Sequence, residues 1–153
     1  MAYVAQYWEE IVPRVRKEVE LAVRLGDKRG GLGEILEVVA ASDVNVLAYC
    51  TYTDRTDSVV LLISDDPHNA KRCLEAAEFE CKANSVIVVS APDQVGAAAR
   101  IGAHLGRAGI EILYSYASAI AGGEFFAVFK TSNDDLALGA LAEGSALNDR
   151  QAA

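Results

Sequence analysis

The chain contains few residues of the kinds that build redox or metal centres. Its three cysteines, Cys50, Cys73 and Cys81, are odd in number and show neither a CxxC pair nor another paired-ligand spacing. This usage predicts reduced, mostly buried thiols in a cytoplasmic protein. The sequence also shows neither a nucleophile–base pair nor a metal-ligand cluster, and His68 and His104 have no catalytic partner in the pattern. We therefore expect no enzymatic activity, no metal and no cofactor.

Positive charge and long apolar runs are scarce as well. Lys and Arg number 14 against 22 Asp and Glu, so the formal net charge is −8. Because nucleic-acid binding depends on neutralising phosphates with Lys and Arg, this balance excludes a nucleic-acid partner. No apolar run approaches the ~20 residues that cross a bilayer, and the first residues lack the basic and apolar segments of a signal peptide. We expect no membrane association and a cytoplasmic location.

What the chain does contain is an internal repeat. At a constant offset of 66 residues, Asp27 falls on Asp93 and Gly30 on Gly96. The hydrophobic pattern moves with these identities, without a gap. The matched segments are 19–25 with 85–91, 43–50 with 109–116, and 57–64 with 123–130. The chain is therefore predicted to hold two copies of one unit.

Each copy has the pattern of a small α+β fold. Residues 19–25 alternate as in a half-buried strand, and the next segment has apolar residues at helical spacing. A hairpin, a second helix and a short closing strand follow, which gives the order βαββαβ. We predict two ferredoxin-like units whose antiparallel sheets carry both helices on one face. The predicted boundaries are an N-terminal extension with a short helix at 1–14, units at 15–83 and 84–147, and a tail at 148–153.

The last strand of the second copy is only weakly indicated. The segment from Glu143 onward offers little beyond Ala146 and Leu147 as apolar residues for a strand. An open sheet leaves unpaired N–H and C=O groups along its edges, and proteins usually cover them. We therefore expect a homodimer in which like units meet by sheet edges or helix faces, with this edge as the favoured point of contact.

The glycine-rich turn after the first strand is the best candidate site. "GDKRGGLG" does not supply the GxxxxGK[ST] of a phosphate loop, and "GLGEIL" lacks the third glycine of a dinucleotide fingerprint. What remains is Asp-x-x-Gly at a strand-to-helix junction in both copies. The glycine allows close approach to the backbone, the helix start suits a carboxylate, and the aspartate suits an ammonium group, so the pattern indicates an α-amino acid. The alternative is that the aspartates only cap helices and the glycines only permit tight packing.

These motifs resemble those of the ACT-domain family, a regulatory fold that senses small ligands. "DKRGGL" at 27–32 and, more loosely, "DQVGAA" at 93–98 match the first-turn motif, and "DVNVLAY" at 43–49 matches the start of the second strand. The second copy departs from the pattern with Glu111 where the family often has Asn, and Arg29 and Val95 replace a frequent proline. The resemblance extends over about residues 17–142.

The resemblance implies a site in which the first turn of one unit and the start of the second strand of its neighbour hold the ligand. The residues it implicates are Asp27, Arg29, Gly30, Gly31, Asn45, Val46, Asp93, Val95, Gly96, Glu111 and Ile112. It further implies a stand-alone regulatory protein that binds a small amino acid or related metabolite and acts through contacts with a partner enzyme or regulator. A ligand-free structural or oligomerisation module is the alternative.

Overall fold

The structure is a computed structural model that describes residues 13–26, 29–120 and 122–151. The helix predicted for the N-terminal extension therefore lies almost wholly outside the described residues. The elements in chain order are β1 (Arg14–Gly26), α1 (Gly31–Ala41), β2 (Val46–Asp54), β3 (Asp57–Ser64), α2 (Pro67–Ala76), β4 (Cys81–Pro92), α3 (Ala97–Arg107), β5 (Ile112–Ala119), β6 (Glu124–Thr131) and α4 (Asp134–Gln151). None of the described helices is both long and apolar enough to cross a membrane.

The elements form two compact units. The first unit is Val19–Ser85, and the second combines the described residues up to Glu18 with those from Val86 onward. The strand order is β2-β3-β1-β4 in the first unit and β5-β6-β4-β1 in the second, so β1 and β4 each contribute to both. The registered pairs β1–β3, β2–β3, β4–β6 and β5–β6 are all antiparallel. The predicted α+β fold with two ferredoxin-like βαββαβ units is confirmed.

The first unit is held together by a core between one face of its sheet and its two helices. Alternate residues of β1 and β3 point to this face, because side chains along a strand alternate between its two sides. The core consists of Leu21, Val23, Ile35, Val39, Val44, Val60, Leu62, Ala70 and Leu74. Seven of these residues are large apolar side chains with 0% exposure, which stabilise the unit by roughly 1.5–3 kcal/mol each.

The second unit has a core of the same design. Alternate residues of β4 and β6 face α3 and α4, and the buried set is Ile87, Val89, Ile101, Leu105, Ile110, Phe125, Ala127, Phe129, Ala137 and Leu141. Two aromatic rings on β6, Phe125 and Phe129, fill this core. In the first unit β3 presents Val60 and Leu62 instead. The repeat therefore preserves the pattern of burial rather than the residue types.

The closing strand of the second unit does not come from the C-terminal segment. Ala146 and Leu147 belong to α4, which runs to Gln151. The position beside β4 is taken by the first residues of β1, and Val15 packs against the second core. Arg14 forms an ion pair with Glu124, and Lys17 donates to Asp135 at 2.7 Å. The weak strand signal after Glu143 thus has a structural reason, because the N-terminal end of the chain supplies the strand.

The gap-free repeat is correct for the first half of each copy and wrong for the second half. The start of α1 at Gly31 and that of α3 at Ala97 keep the offset of 66, but β3 begins at Asp57 and β6 at Glu124, one residue further on. Register pairs Ile63 with Ala48, and Lys130 with Tyr114, at the same shift. The longer β5–β6 connection absorbs the extra residue, because a slip within the strand would turn every core side chain to the other face.

Candidate functional site

The first strand-to-helix turn ends in a left-handed glycine. Gly30 is the N-cap of α1 with φ 80° and ψ 0°, and Gly26 at the end of β1 also has a positive φ of 61°. Residues with a Cβ avoid this region, so the sequence places glycine where the chain has to turn. Arg29 is exposed beside Gly30. Asp27, the acid of the motif, lies outside the described residues.

Gly31, the first residue of α1, lies under the end of β1. A β-carbon built on Gly31 would be 2.5 Å from Cδ2 of Leu25. The glycine here serves close packing between helix and strand. Gly30 is different, since nothing lies within 4 Å of the β-carbon position and its backbone angle alone requires glycine.

The second turn has the same backbone conformation. Gly96 is the N-cap of α3 with φ 87° and ψ 1°. The N–H of Asp93 donates to the carbonyl of Gly123 at 3.0 Å, so the β5–β6 loop lies against this turn. Val95 is fully exposed. Within the described part of the chain, the carboxylate of Asp93 forms no hydrogen bond, which does not support a capping role for it.

The two pairs of helices begin in different ways. In α2 the side chain of Asp66 accepts from the N–H of Asn69 at 3.0 Å, and at α4 Asn133 accepts from the N–H of Leu136 at 3.0 Å. The N-caps of α1 and α3 are glycines and provide no side-chain cap. In α3 the first N–H group of the helix, that of Ala97, donates to the carbonyl of Gln94 at 3.0 Å. The caps leave the other N–H groups of the first turn for another acceptor, and the positive end of the helix dipole favours an anion there.

The start of the second strand is tied to the end of the third strand in both units. The carboxylate of Asp65 accepts from the N–H of Asn45 at 2.9 Å, and the N–H of Asp65 donates to the carbonyl of Asn45 at 3.1 Å. In the second unit the N–H of Ser132 donates to the carbonyl of Glu111 at 2.9 Å. Asn45 and Glu111 are exposed, so each is available to contact another group.

Within one unit the turn and the start of the second strand lie at opposite ends of the sheet. Gly26, before the first turn, pairs with Ser58 at the beginning of β3, whereas Val46 pairs with Ser64 at its end. In the second unit Pro92 pairs with Glu124 and Ile112 with Thr131. The structure therefore does not bring the two halves of the predicted set together inside a single unit.

Sequence reasoning missed Arg100, which lies in the first turn of α3. The residue is buried at 8% exposure, and its Nη1 donates to the carbonyl of Val95 at 3.3 Å. The one signal that could have found it is the repeat itself, because the offset that matches Gly30 to Gly96 places Glu34 opposite Arg100. The two similar turns therefore carry opposite charges at this position.

A surface groove of about 710 Å³ lies in the first unit beside α1. Its lining residues are Arg24, Leu25, Glu34, Glu37, Val38, Ala41, Ala77, Glu78 and Phe79. None of the predicted ligand contacts is among them. Arg24 is held at the rim by Asp57, from which its Nε lies at 2.7 Å, and its pKa is raised chiefly by that hydrogen bond. The groove and the two glycine turns are thus formed by different residues.

The remaining reactive groups of the described residues do not assemble into a catalytic or metal centre. In the described ranges, no group of three or more His, Cys, Asp or Glu side chains is arranged to hold a metal ion. The three cysteines are free and half-buried. Burial raises the pKa of the Cys81 thiol to about 11. Such a thiol is a poor nucleophile at neutral pH, because the thiolate is the reactive form.

Comparison with known proteins supports the fold. The protein-family model for the ACT domain pair matches residues 18–144. Protein BT0572 from Bacteroides thetaiotaomicron has a similar structure, with a TM-score of 0.78, 27% sequence identity and coverage of 88% of this chain and 97% of that one. A search of curated proteins gave no significant match.

Two aspartate kinase structures are also similar. The ligand-free regulatory subunit from Thermus thermophilus gives a TM-score of 0.61 at 16% identity, covering 86% of this chain and 97% of that one. The allosteric aspartate kinase of Clostridium acetobutylicum gives 0.57 at 15% identity, covering 86% of this chain and 34% of that one. At these identities they show a shared fold alone. With the two repeated glycine turns and a family model that matches most of its length, the chain belongs to the ACT domain pair family.

Proposed function

We propose that the chain is a cytoplasmic regulatory protein that binds a small amino acid or related metabolite at its strand-to-helix turns. The observation that carries the proposal is the repeated left-handed glycine, Gly30 and Gly96, at the start of a helix without a side-chain cap. The helix start suits a carboxylate, and the turn aspartate suits an ammonium group. Membership of the ACT domain pair family supports a regulatory role rather than a catalytic one, with the output passed to a partner protein.

The proposed contacts are those that the motifs indicate. They are Asp27, Arg29, Gly30, Gly31, Asn45, Val46, Asp93, Val95, Gly96, Glu111 and Ile112. Because the turn and the second-strand start lie at opposite ends of each unit, one ligand cannot contact both within the same unit. We propose that a second copy of the chain supplies the other half of each site. This links ligand binding to a homodimer.

The outer strand of each unit supports that dimer. The outer strands β2 and β5 contain no buried residue, and their exposed apolar side chains include Leu47, Tyr49, Tyr52, Ile112 and Leu113. Unpaired edges with apolar side chains favour association. The sequence favoured a different edge for the dimer, the one left open by a missing last strand in the second unit. That edge is not open, because β1 lies beside β4 there. Sedimentation velocity should give a dimer, and a monomer at micromolar concentrations would remove this part of the proposal.

A thermal-shift screen of the standard amino acids tests the function. A ligand at 100 times its dissociation constant adds about 2.7 kcal/mol to the free energy of unfolding if it binds the folded state alone. At about 2–4 °C per kcal/mol for a chain of this size, the midpoint should rise by roughly 5–10 °C. We expect a few positives among small or apolar amino acids, because the apolar residues Leu32, Val46, Val95 and Ile112 flank the loops of the proposed site.

The same exposed edges favour a second candidate, a ligand-free assembly module. Under that alternative the chain dimerises but no amino acid changes its stability. A flat screen on folded protein, shown by mass spectrometry under native conditions to carry no co-purified ligand, would contradict the amino-acid function. It would leave assembly as the role of these strands.

A further inference from the structure

Arg100 is a buried cation in the first turn of α3. It is 8% exposed and lies between Ala97 and Ile101, which are 3% and 1% exposed. Arginine is rarely buried to this extent unless it is paired, because taking a charge out of water costs several kcal/mol. A buried charge in the first turn of a helix is therefore expected to have a partner that offsets its loss of hydration.

The described structure provides only part of that compensation. Nη1 of Arg100 donates to the carbonyl of Val95 at 3.3 Å, and Nε is buried without a hydrogen-bond partner. In the part of the chain that the structure describes, no carboxylate forms an ion pair with this guanidinium. A neutral carbonyl satisfies one of five donors and leaves the charge in place.

The guanidinium lies at the glycine turn itself. Nη1 is 3.2 Å from the position that a β-carbon on Gly96 would occupy. Gly96 begins α3, an 11-residue helix whose N-cap has no side chain to accept its first N–H groups. A fixed positive charge and the positive end of a helix dipole therefore meet at one turn, and both favour an anion.

The first unit has the opposite charge at this position. The offset that matches Gly30 with Gly96 places Glu34 where the second unit has Arg100. Glu34 is partly exposed on α1 and lines the groove beside that helix. The two turns share their backbone conformation, but the first turn of the following helix carries Glu34 in one unit and Arg100 in the other. The two turns are therefore not equivalent as binding sites.

We propose that Arg100 and the first turn of α3 together bind the carboxylate group of the ligand, so that the second unit is the carboxylate receptor of the pair. The inference rests on the proposed function and names the chemical group that this unit recognises. A planar guanidinium matches a carboxylate by two parallel N–H···O bonds, and such charge-assisted bonds are about twice as strong as neutral ones. The ligand carboxylate would then supply the counter-charge that the described part of the chain does not give this guanidinium.

The Nε–H group of Arg100 gives a direct measurement. In ¹H–¹⁵N spectra a buried arginine Nε–H is resolved, and the Arg100→Lys variant identifies it by its loss. The probes are alanine, valine and leucine, each with the amine that lacks its carboxylate and the acid that lacks its ammonium group. For valine these are isobutylamine and isovalerate. We expect the cross-peak to move with the amino acids and the acids, and to stay in place with the amines.

Two methionine substitutions on one helix separate binding from folding. Arg100→Met should lower the affinity for the acids by about tenfold to a hundredfold, the equivalent of a lost hydrogen bond to a charged group. It should not lower the unfolding temperature without ligand, because it removes an incompletely paired buried charge. Arg107→Met, on the exposed last turn of α3, should change neither quantity. Arg100→Lys keeps the charge and should retain part of the affinity.

The outcomes distinguish this inference from the proposed function. If amino acids bind but the Arg100 peak is unmoved and Arg100→Met binds normally, the carboxylate assignment is wrong and the function stands. If the acids move the peak while no amino acid binds, the assignment stands and the amino-acid function is wrong. If nothing binds, both are wrong. A large drop in the unfolding temperature of Arg100→Met with unchanged binding by Arg100→Lys would make Arg100 a brace for the turn and overturn the assignment.

Discussion

Leu25 and Gly31 form a complementary pair at the first turn: a β-carbon on Gly31 would lie 2.5 Å from Cδ2 of Leu25. The equivalent residues of the second unit are Ala91 and Ala97, and these two side chains pack against each other. One unit thus combines a large side chain with none, and the other combines two small ones. Both units keep a close helix–strand contact here, with four side-chain carbons in one unit and two in the other.

This complementarity predicts a non-additive pair of substitutions. Gly31→Ala alone should lower the free energy of unfolding by about 1 kcal/mol, the low end for overpacking, because the end of Leu25 can shift. In the Leu25→Ala background the same Gly31→Ala change should have almost no cost, which gives a coupling energy of about 1 kcal/mol in a double-mutant cycle. Urea denaturation of the four proteins measures it. Strict additivity would show that the two residues do not compensate each other.

Gly96 at the N-cap of α3 and Gly102 within the helix should respond to alanine in opposite ways. Gly96→Ala forces a residue with a Cβ to φ 87°, which costs about 1–2 kcal/mol, and brings the new methyl group close to Arg100. Gly102→Ala adds a methyl group in open space within the helix and should stabilise by about 0.5–1 kcal/mol. Thermal unfolding should therefore shift down for one variant and up for the other. Equal shifts would contradict the role given to the left-handed turn.

Replacing Asp93 separates ligand binding from capping. Asp93 is exposed and its carboxylate has no hydrogen-bond partner in the described ranges, so Asp93→Asn should change the stability of the ligand-free protein by less than about 0.5 kcal/mol. The temperature shift caused by the best amino acid of the screen should become smaller, because an amide attracts an ammonium group less than a carboxylate does. An unchanged shift would remove Asp93 from the proposed site.

A charge at position 15 tests whether the first residues of β1 complete the sheet of the second unit. Val15 packs against the second core, so Val15→Asp should destabilise the protein by about 2 kcal/mol through burial of an unpaired charge. Hydrogen exchange should speed up in β4 from Val86 onward and in β6. Val19→Asp, four residues along the same strand and 39% exposed, is the matched control and should have a smaller effect. Equal effects of the two variants would contradict the packing of Val15 on this core.

The Cys81 thiol should make stability depend on pH in the alkaline range. Burial raises its pKa from 9.0 to about 11, with Lys71 opposing and Glu75 adding to the shift. The unfolded chain therefore loses this proton before the folded one does. The contribution to stability is fully present below pH 9 and is lost as the pH rises to 11. The difference in urea midpoint between the protein and Cys81→Ser should shrink across this window, and a constant difference would contradict the buried thiol.

The sequence predicted the fold well wherever the determining signals were local. Alternation in residues 19–25 and helical spacing after Gly31 identify β1 and α1, because these patterns report which side of one element is buried. The fourth strand of the second unit has no such signal. Among Arg14–Glu18 the apolar residue is Val15 alone, and its partners are distant in sequence. A pairing of this kind is decided by the tertiary fold and leaves no periodic pattern.

The left-handed glycines of the candidate site could be predicted from the sequence, but the buried charge of Arg100 could not. Gly30 and Gly96 could be identified because a left-handed turn selects glycine almost regardless of what surrounds it. Arg100 lies in a run of alanines, and only its burial shows that its charge is unusual. The separation of Asn45 from the first turn within one unit likewise depends on strand register, which motif order does not reveal.

The crossing of β1 from one unit to the other has a consequence for the order of folding. The first unit is contiguous, and its Arg24–Asp57 contact spans 33 residues, whereas Arg14–Glu124 and Lys17–Asp135 in the second unit span 110 and 118. Closing a loop of 110 residues rather than 33 costs about 1 kcal/mol more in chain entropy, and contacts of long sequence separation form slowly. Arg14 thus leaves the ribosome 110 residues before its partner Glu124 and reaches its place late. Until then β4 presents an unpaired edge, which makes the interval before docking the time when a nascent chain is most exposed to aggregation.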